Sequence, residues 1–202
     1  MSDHFRTIAA RCEVTHKVER SEFLGIAFPV DRDEQFFEQL HAIEKKFFDA
    51  THHCWAFRIR AGEDVRARGS DAGEPSGTAG KPILSAIEGA GLQDVGVVVV
   101  RWFGGVKLGT GGLSRAYRET AAATLERAQP VDRYVYTRFC VIVPFDSLGT
   151  VYRLVSPPDV VLAEERFAEH NEFDFLVRQS RAEEFGRTLT ERRLAFTRAE
   201  SS

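Results

Sequence analysis

The sequence predicts an α+β protein of two domains, and three observations predict it. Residues 95–100 consist of valine and one glycine, which is typical of a β-strand covered on both faces. Amphipathic helical patterns flank that strand on both sides. The chain after Pro130 then follows a separate order of strands and helices. With 202 residues, 43% of them hydrophobic, the chain is long enough for one or two domains with buried cores.

The first domain is expected to span residues 1–130. Alternation of polar and apolar residues predicts strands over 12–18, 22–29, 52–60 and 65–68, in addition to 95–100. Apolar residues at helical spacing predict a helix over 31–48 that Asp31 or Asp33 caps, a helix with Thr78 as its cap and Pro82 in its first turn, and a helix over 111–128.

The second domain is expected to span residues 134–199. Strands are predicted over 136–143, 160–167, 173–178 and 194–197, and helices over 147–155 and 181–193. The resulting order, strand-helix-strand-strand-helix-strand, is that of a ferredoxin-like sandwich.

Charge and cysteine content exclude several classes of protein. Lys and Arg number 27 and Asp and Glu 30, so the net charge of −3 argues against a basic nucleic-acid coat protein and an acidic tail protein. Apolar runs stay below the ~18 residues of a membrane span, so no membrane partner is expected. Cys12, Cys54 and Cys140 form no CxxC motif, which argues against a disulfide framework and a structural zinc. A cytoplasmic location is expected, because the N-terminus lacks the apolar core of a secretion signal.

Two glycine-rich loops are the features most indicative of function. Thirteen of the 16 glycines lie between Gly62 and Gly112, concentrated in residues 69–82 and 104–112. Each loop leads into a predicted helix, and backbone N–H groups of such turns favour anions. Residues 95–118 also contain four basic residues and no acid. The expected anion-binding residues are Lys81, Arg101, Gly104, Gly105, Lys107, Gly111, Gly112, Arg115 and Arg118.

The spacing of the cations suggests how such a site would form. Arg115 and Arg118 are three residues apart, so they share one helix face. Lys81 also follows a glycine loop at a helix start, and the two helix starts could converge on one site. The alternative is that the glycines only permit tight turns, while nearby carboxylates pair with the arginines. The motif of a P-loop is absent from the sequence.

Two carboxylates of the first loop, Asp71 and Glu74, have two interpretations. They could bind Mg²⁺ or transfer a proton, or they could order the loop through caps and turns. His52 and Cys54 share one face of their predicted strand while His53 points to the other, and two ligands do not make a zinc site. No metal or cofactor is therefore predicted.

Aromatic and serine residues beside the second loop also have alternative interpretations. Trp102 and Phe103 could stack on a nucleic-acid base or form the edge of the core. Ser114 lies in a segment similar to the start of a nucleophile elbow, but the second glycine is missing. A serine hydrolase is not expected.

The loops resemble a known family. Residues 71–82, DAGEPSGTAGKP, and 97–109, VVVVRWFGGVKLG, resemble the signature of the YigZ/IMPACT family, as do residues 53–58 and 111–117. The resemblance covers residues 15–128 and implies that the first domain has the fold of domain 2 of ribosomal protein S5. The C-terminal part resembles the small ferredoxin-like domain of the bacterial two-domain members. The family has no settled catalytic residues to transfer to this chain.

Together these features predict a non-catalytic binding protein associated with translation. The basic window suggests contact with the phosphate backbone of RNA, and the resemblance implies RNA or a ribosome-associated partner and a role in regulating translation. One alternative is an enzyme that acts on a small phosphorylated or carboxylate substrate. Another is a protein-interaction adaptor whose second domain docks a partner.

Overall fold

A computed structural model describes residues 3–62, 64–167 and 170–199. Over these residues the strands are β1 (His4–Ile8), β2 (Cys12–Val18), β3 (Ser21–Pro29), β4 (His52–Ala61), β5 (Asp64–Ser70), β6 (Val95–Trp102), β7 (Pro130–Tyr134), β8 (Tyr136–Val143), β9 (Val160–Phe167), β10 (Asn171–Arg178) and β11 (Ala195–Ala199). The α-helices are α1 (Asp33–Lys46), α2 (Gly80–Gly89), α3 (Gly109–Arg127), α4 (Leu148–Tyr152) and α5 (Ala182–Glu191). Short 3₁₀ turns, Phe145–Ser147 and Gln179–Arg181, precede α4 and α5.

The chain divides into two compact units. One comprises residues 5–132, and the other comprises residues 133–199 together with Asp3 and His4. The sequence patterns assign the whole N-terminal stretch to the first domain, so these two residues differ from that expectation.

The first unit is built on a five-stranded sheet with the order β2-β3-β6-β4-β5. Its central strand, β6, is buried on both faces. Val97 and Val99 belong to the apolar cluster shared with α2 and α3, whereas Val98 and Val100 belong to the cluster shared with α1. The valine run therefore forms the fully covered strand that the sequence predicts, between helices on the two faces of the sheet.

Glycines bring the helices close to the sheet at two points. A Cβ atom on Gly25 of β3 would lie 2.2 Å from Oγ1 of Thr124, so α3 packs directly against that strand. A Cβ atom on Gly80 would lie 2.7 Å from the backbone nitrogen of Ser70, so the start of α2 lies against the end of β5. Larger residues at either glycine would separate the helix from the sheet.

The helices α2 and α3 begin at the same edge of the sheet. Ser70 of β5 pairs with Trp55 of β4, which pairs with Val98 of β6. Because both pairings are antiparallel, β5 and β6 run in the same direction and end at the same edge. The loops of residues 71–79 and 103–108 follow these strands there, and α2 and α3 begin after them and pack against each other.

Several predicted helix starts are wrong in detail. The N-cap of α1 is Arg32, without a side-chain cap from Asp31 or Asp33. The N-cap of α2 is Ala79 rather than Thr78, whose hydroxyl donates to the carbonyl oxygen of Pro75 at 2.7 Å instead. The helix α3 starts at Gly109, two residues earlier than predicted, which places Arg115 in its second turn.

Other differences concern short elements. The strands β1 and β7, which pair in a two-stranded sheet, are not predicted by the sequence patterns. The helix predicted over 147–155 is a 3₁₀ turn followed by the five-residue α4. The remaining predicted elements are present with ends displaced by a few residues.

The second unit contains a four-stranded antiparallel sheet with the order β11-β8-β10-β9. Its core joins Phe139, Phe173 and Phe175 of the sheet to Phe185 and Leu189 of α5. The strand-helix-strand-strand-helix-strand order is confirmed. The ferredoxin-like assignment, like the resemblance of the first domain to ribosomal protein S5, stays a prediction.

None of the described helices is both long and apolar enough to cross a membrane.

Candidate anion-binding cleft

A surface cleft of about 590 Å³ lies between α2 and α3. It brings together three of the predicted anion-binding side chains, Lys81, Arg115 and Arg118. The full lining is Gly77, Lys81, Pro82, Ser85, Ser114, Arg115, Arg118, Glu119 and Ala122. The two predicted helix starts therefore converge on one site, because α2 and α3 begin at the same sheet edge and lie side by side.

The cleft carries an excess of positive charge. Lys81, Arg115 and Arg118 are all exposed, and in the described part of the chain none of them has a carboxylate within ion-pair distance. Glu119 is the one acidic residue among the described lining residues. Three cations facing one carboxylate favour an anionic ligand, because such a ligand relieves the repulsion between like charges.

The backbone N–H groups of the first loop are occupied by a carboxylate of the same chain. The Oδ1 atom of Asp71 accepts hydrogen bonds from the N–H groups of Ala79 and Gly80 at 2.9 and 2.8 Å, and Oδ2 accepts one from Gly77 at 2.8 Å. The prediction that these amides contribute to an anion site therefore needs correction. Asp71 takes the place an external anion would occupy at the start of α2.

The ionisation of Asp71 fits this structural role. Burial alone would raise its pKa, but the N–H groups of Gly77, Gly80 and Ala79 and the charge of Lys81 together lower it. A carboxyl group that stays ionised in this way orders the loop and is poorly suited to transfer protons. The loop-ordering interpretation of Asp71 is supported, and no group of metal-binding side chains occurs among the described residues.

The prediction that Arg101 binds an anion is wrong, because its side chain is already paired within the protein. Its side chain is only 6% exposed, and its Nη1 atom lies 2.5 Å from Oε1 of Glu74, whose side chain is 3% exposed. The hydroxyl of Tyr117 donates to the same oxygen at 2.8 Å, and Nη2 of Arg101 donates to Oγ of Ser21 at 3.3 Å. Arg101 therefore forms a buried ion pair that fastens the first loop to β6 and α3.

The buried position of Arg101 follows from its place on β6. It lies two residues after Val99, on the face that α2 and α3 cover, since alternate residues of a strand share a face. Tyr117 of α3 and Glu74 of the first loop complete its surroundings. This pairing also removes Glu74 from the set of carboxylates available to a metal or a substrate.

Residues of β4 also hold the first loop in place. The thiol of Cys54 donates to the carbonyl oxygen of Asp71 at 2.9 Å, and Nδ1 of His52 lies 2.9 Å from the carbonyl oxygen of Ala72. Burial raises the pKa of Cys54 to about 12. His53 points to the other face, with Nε2 3.0 Å from the carbonyl oxygen of Phe47. The predicted facing of these residues is confirmed.

Two glycines of the second loop are required by the conformation of the backbone. A Cβ atom on Gly104 would lie 1.8 Å from the carbonyl oxygen of Arg20, and Gly105 has a φ of +85°. Gly111 and Gly112 lie inside the first turn of α3. Lys107 is exposed and is not among the residues that line the cleft. The interpretation that glycines permit a tight turn therefore applies to Gly104 and Gly105.

The two aromatic residues at the end of β6, Trp102 and Phe103, have different environments. Trp102 packs against Phe47, with ring centroids 5.8 Å apart, and its Nε1–H donates to Oδ2 of Asp49 at 3.0 Å. It forms part of the core edge. Phe103 is 46% exposed. Ser114 lines the cleft, and no histidine is among the described lining residues.

The cleft lining also includes Pro82, Ser85 and Ala122, which the sequence motifs do not indicate as binding residues. Helical spacing could have identified two of them. Ser85 follows Lys81 by four residues and Ala122 follows Arg118 by four, so each shares a helix face with a predicted cation.

The fold and the cleft define an α+β protein with a basic surface site on its first unit. The Impact N-terminal domain model matches residues 19–125, which is more than half of the chain. IMPACT family member YvyE of Bacillus subtilis is 32% identical over 174 residues, covering 86% of this chain and 80% of the relative. IMPACT family member YigZ of Escherichia coli is 36% identical over 132 residues, covering 62% and 65%.

These similarities show that the chain belongs to the IMPACT family, as a YigZ-like bacterial member. The residues that the family model matches include both glycine-rich loops, whose motifs resemble that family. A solved structure described as "Crystal structure of an hypothetical protein" is similar over 100% of this chain and 99% of its own, with a TM-score of 0.68 and 24% identity. That similarity supports the fold alone.

Proposed function

We propose that this protein is a non-catalytic, translation-associated binding protein whose cleft between α2 and α3 binds phosphate groups of RNA. The observation that carries the proposal is the convergence of Lys81, Arg115 and Arg118 on one open cleft, whose described lining residues include a single carboxylate. The association with translation rests on the family resemblance of the sequence.

The side chains of the cleft suit phosphate chemically. Guanidinium groups donate two parallel hydrogen bonds to phosphate oxygens, and an ammonium group acts as a compact positive charge. Binding then depends on these side chains rather than on the loop amides, since Asp71 occupies the N–H groups of Gly77, Ala79 and Gly80.

The absence of catalysis is inferred from the positions of the two carboxylates. Neither Asp71 nor Glu74 lines the cleft, and each is held by partners within the chain: Asp71 by N–H groups and Glu74 by Arg101. An enzyme that used them as metal ligands or proton-transfer groups would need them at the ligand.

One observation favours a second candidate, an enzyme or carrier for a small anionic molecule. The cleft volume of about 590 Å³ lies within the range of ordinary small-molecule sites. Ser85 and Ser114 would then bind the ligand beside the cations. A thermal-shift screen with nucleotides, sugar phosphates and amino acids distinguishes the two, because RNA binding through the phosphate backbone predicts no selective shift with any of these.

The proposal is tested by fluorescence anisotropy with a labelled 12-nucleotide single-stranded RNA at 50 mM salt. The variant Lys81→Ala/Arg115→Ala/Arg118→Ala is compared with a matched control that loses the same charge from exposed positions outside the cleft. The control substitutions are Lys45→Ala, Arg127→Ala and Arg192→Ala.

The cleft variant is expected to bind RNA at least about tenfold more weakly than the unmodified protein, and the control within about threefold of it. Equal losses in both variants would show that only net charge matters. Absence of binding by the unmodified protein at 50 mM salt would overturn the proposal.

A further inference from the structure

We infer that Phe103 stacks on a base of the nucleic acid whose phosphates occupy the cleft, so that the ligand is single-stranded. The inference rests on the proposed function and goes beyond it by naming the form of nucleic acid and a residue that selects it. It starts from the contrast between Trp102, which packs at the core edge, and Phe103, which is 46% exposed.

The exposed ring is carried by a firmly held backbone. The N–H group of Phe103 donates to Oγ1 of Thr51 at 3.0 Å, and that of Gly104 donates to Oγ of Ser21 at 3.4 Å. Gly104 also lies so close to Arg20 that any Cβ atom there would meet its carbonyl oxygen. Because the backbone that carries the ring is held in this way, less conformational entropy is lost when a ligand binds.

The buried ion pair supports the ring from within. The guanidinium carbon of Arg101 lies 5.5 Å from the ring centroid of Phe103, and Glu74 holds that guanidinium in place. This cation–π contact helps to hold the ring in place, while the exposed part of the ring stays accessible to a ligand. An unpaired base offers the flat aromatic face that such a ring stacks against.

Phe103 lies at the edge of the sheet where the two helices that line the cleft start. It directly follows β6, at the edge where α2 and α3 start. Lys107, in the same loop, is exposed and has no ion pair within the described residues. A strand with its phosphates on Lys81 and Arg115 could extend past Lys107 and place a base on Phe103.

Stacking of this kind distinguishes single strands from duplexes. In a duplex the bases are stacked on one another and present only their edges, whereas single-strand binders combine basic grooves with exposed aromatic rings. Removal of one stacking ring weakens binding by about 5- to 150-fold. A ligand that carries phosphates without bases should not respond to the same substitution.

The test measures Phe103→Ala, Phe103→Leu and Phe103→Trp with the labelled 12-nucleotide RNA, using inorganic polyphosphate of similar length as a competitor. Phe103→Ala and Phe103→Leu are expected to bind RNA at least fivefold more weakly, whereas Phe103→Trp keeps the affinity. The inhibition constant of polyphosphate, calculated with each variant's own RNA affinity, should be the same for all four proteins. Unchanged far-ultraviolet circular dichroism of the three free variants verifies that the fold is retained.

The outcomes separate this inference from the proposed function. If Phe103→Ala or Phe103→Leu binds RNA as the unmodified protein does, while the triple cleft variant loses both probes, only stacking is overturned. Stacking is also overturned if Phe103→Ala weakens RNA and polyphosphate equally. If the triple cleft variant keeps its RNA affinity, the proposed function itself falls.

Discussion

The buried ion pair between Arg101 and Glu74 makes a quantitative prediction for Arg101→Met. The two side chains are 6% and 3% exposed, so substitution of the arginine leaves a carboxylate buried without its cation. Loss of one partner from a buried pair typically costs about 3–5 kcal/mol of unfolding free energy. The hydroxyl of Tyr117 still donates to Glu74 at 2.8 Å, which places the expected loss near the lower limit, about 3 kcal/mol.

A double-mutant cycle isolates the interaction from other effects. Glu74→Gln alone leaves the guanidinium of Arg101 buried without a counter-charge, and we expect a loss of about 3 kcal/mol. The double variant Glu74→Gln/Arg101→Met contains neither charge, so its loss should be close to that of one single variant. The expected coupling energy is about 3 kcal/mol, at the upper end for contacting residues.

Urea unfolding followed by tryptophan fluorescence is the appropriate assay. The chain contains two tryptophans, Trp55 and Trp102, and both lie in the unit that holds the ion pair. The exposed Arg127→Met serves as the control and should stay within about 0.5 kcal/mol of the unmodified protein. Additivity of the two single losses to within about 0.5 kcal/mol would refute the reasoning.

Two further predictions concern the first loop and its supporting sheet. Because the pKa of Asp71 is lowered in the folded state, its stabilising effect is present above the ordinary carboxyl pKa of about 3.9 and is lost as the pH falls through the lowered value. Asp71→Asn should lower the free energy of unfolding at pH 7 by about 1–3 kcal/mol and flatten its decline at acid pH. An equally steep acid decline would contradict this. Gly25→Ala should cost about 1–3 kcal/mol through its clash with Thr124, whereas Gly89→Ala, with nothing within 4 Å, should not destabilise; equal urea midpoints would contradict the packing described.

The convergence of the cleft cations could be predicted because it depends on local geometry. Arg115 and Arg118 are three residues apart on one helix, and Lys81 has the same relation to its own glycine loop and helix. Helical periodicity fixes which way such side chains point, and short loops fix where the helices begin. The structure adds only the side-by-side packing of α2 and α3 that turns two faces into one cleft.

The roles of Arg101 and Asp71 could not be predicted in the same way. The valine run before Arg101 lacks the polar alternation that would show which face of the strand the arginine occupies, and its partner Glu74 lies 27 residues away in an irregular loop. Asp71 caps a helix that starts nine residues later, whereas sequence rules expect the cap immediately before the helix. Both roles depend on tertiary contacts rather than on local spacing.

The salt dependence of RNA affinity tests the cleft most directly. Three phosphate contacts on a single strand predict a slope of about −2 for the logarithm of the association constant against the logarithm of the salt concentration. Between 50 and 200 mM salt, that slope corresponds to a loss of about 18-fold in affinity. Substitution of Lys81, Arg115 and Arg118 by alanine should reduce the slope by about 2. An unchanged slope in that variant would contradict the assignment of phosphate binding to this cleft.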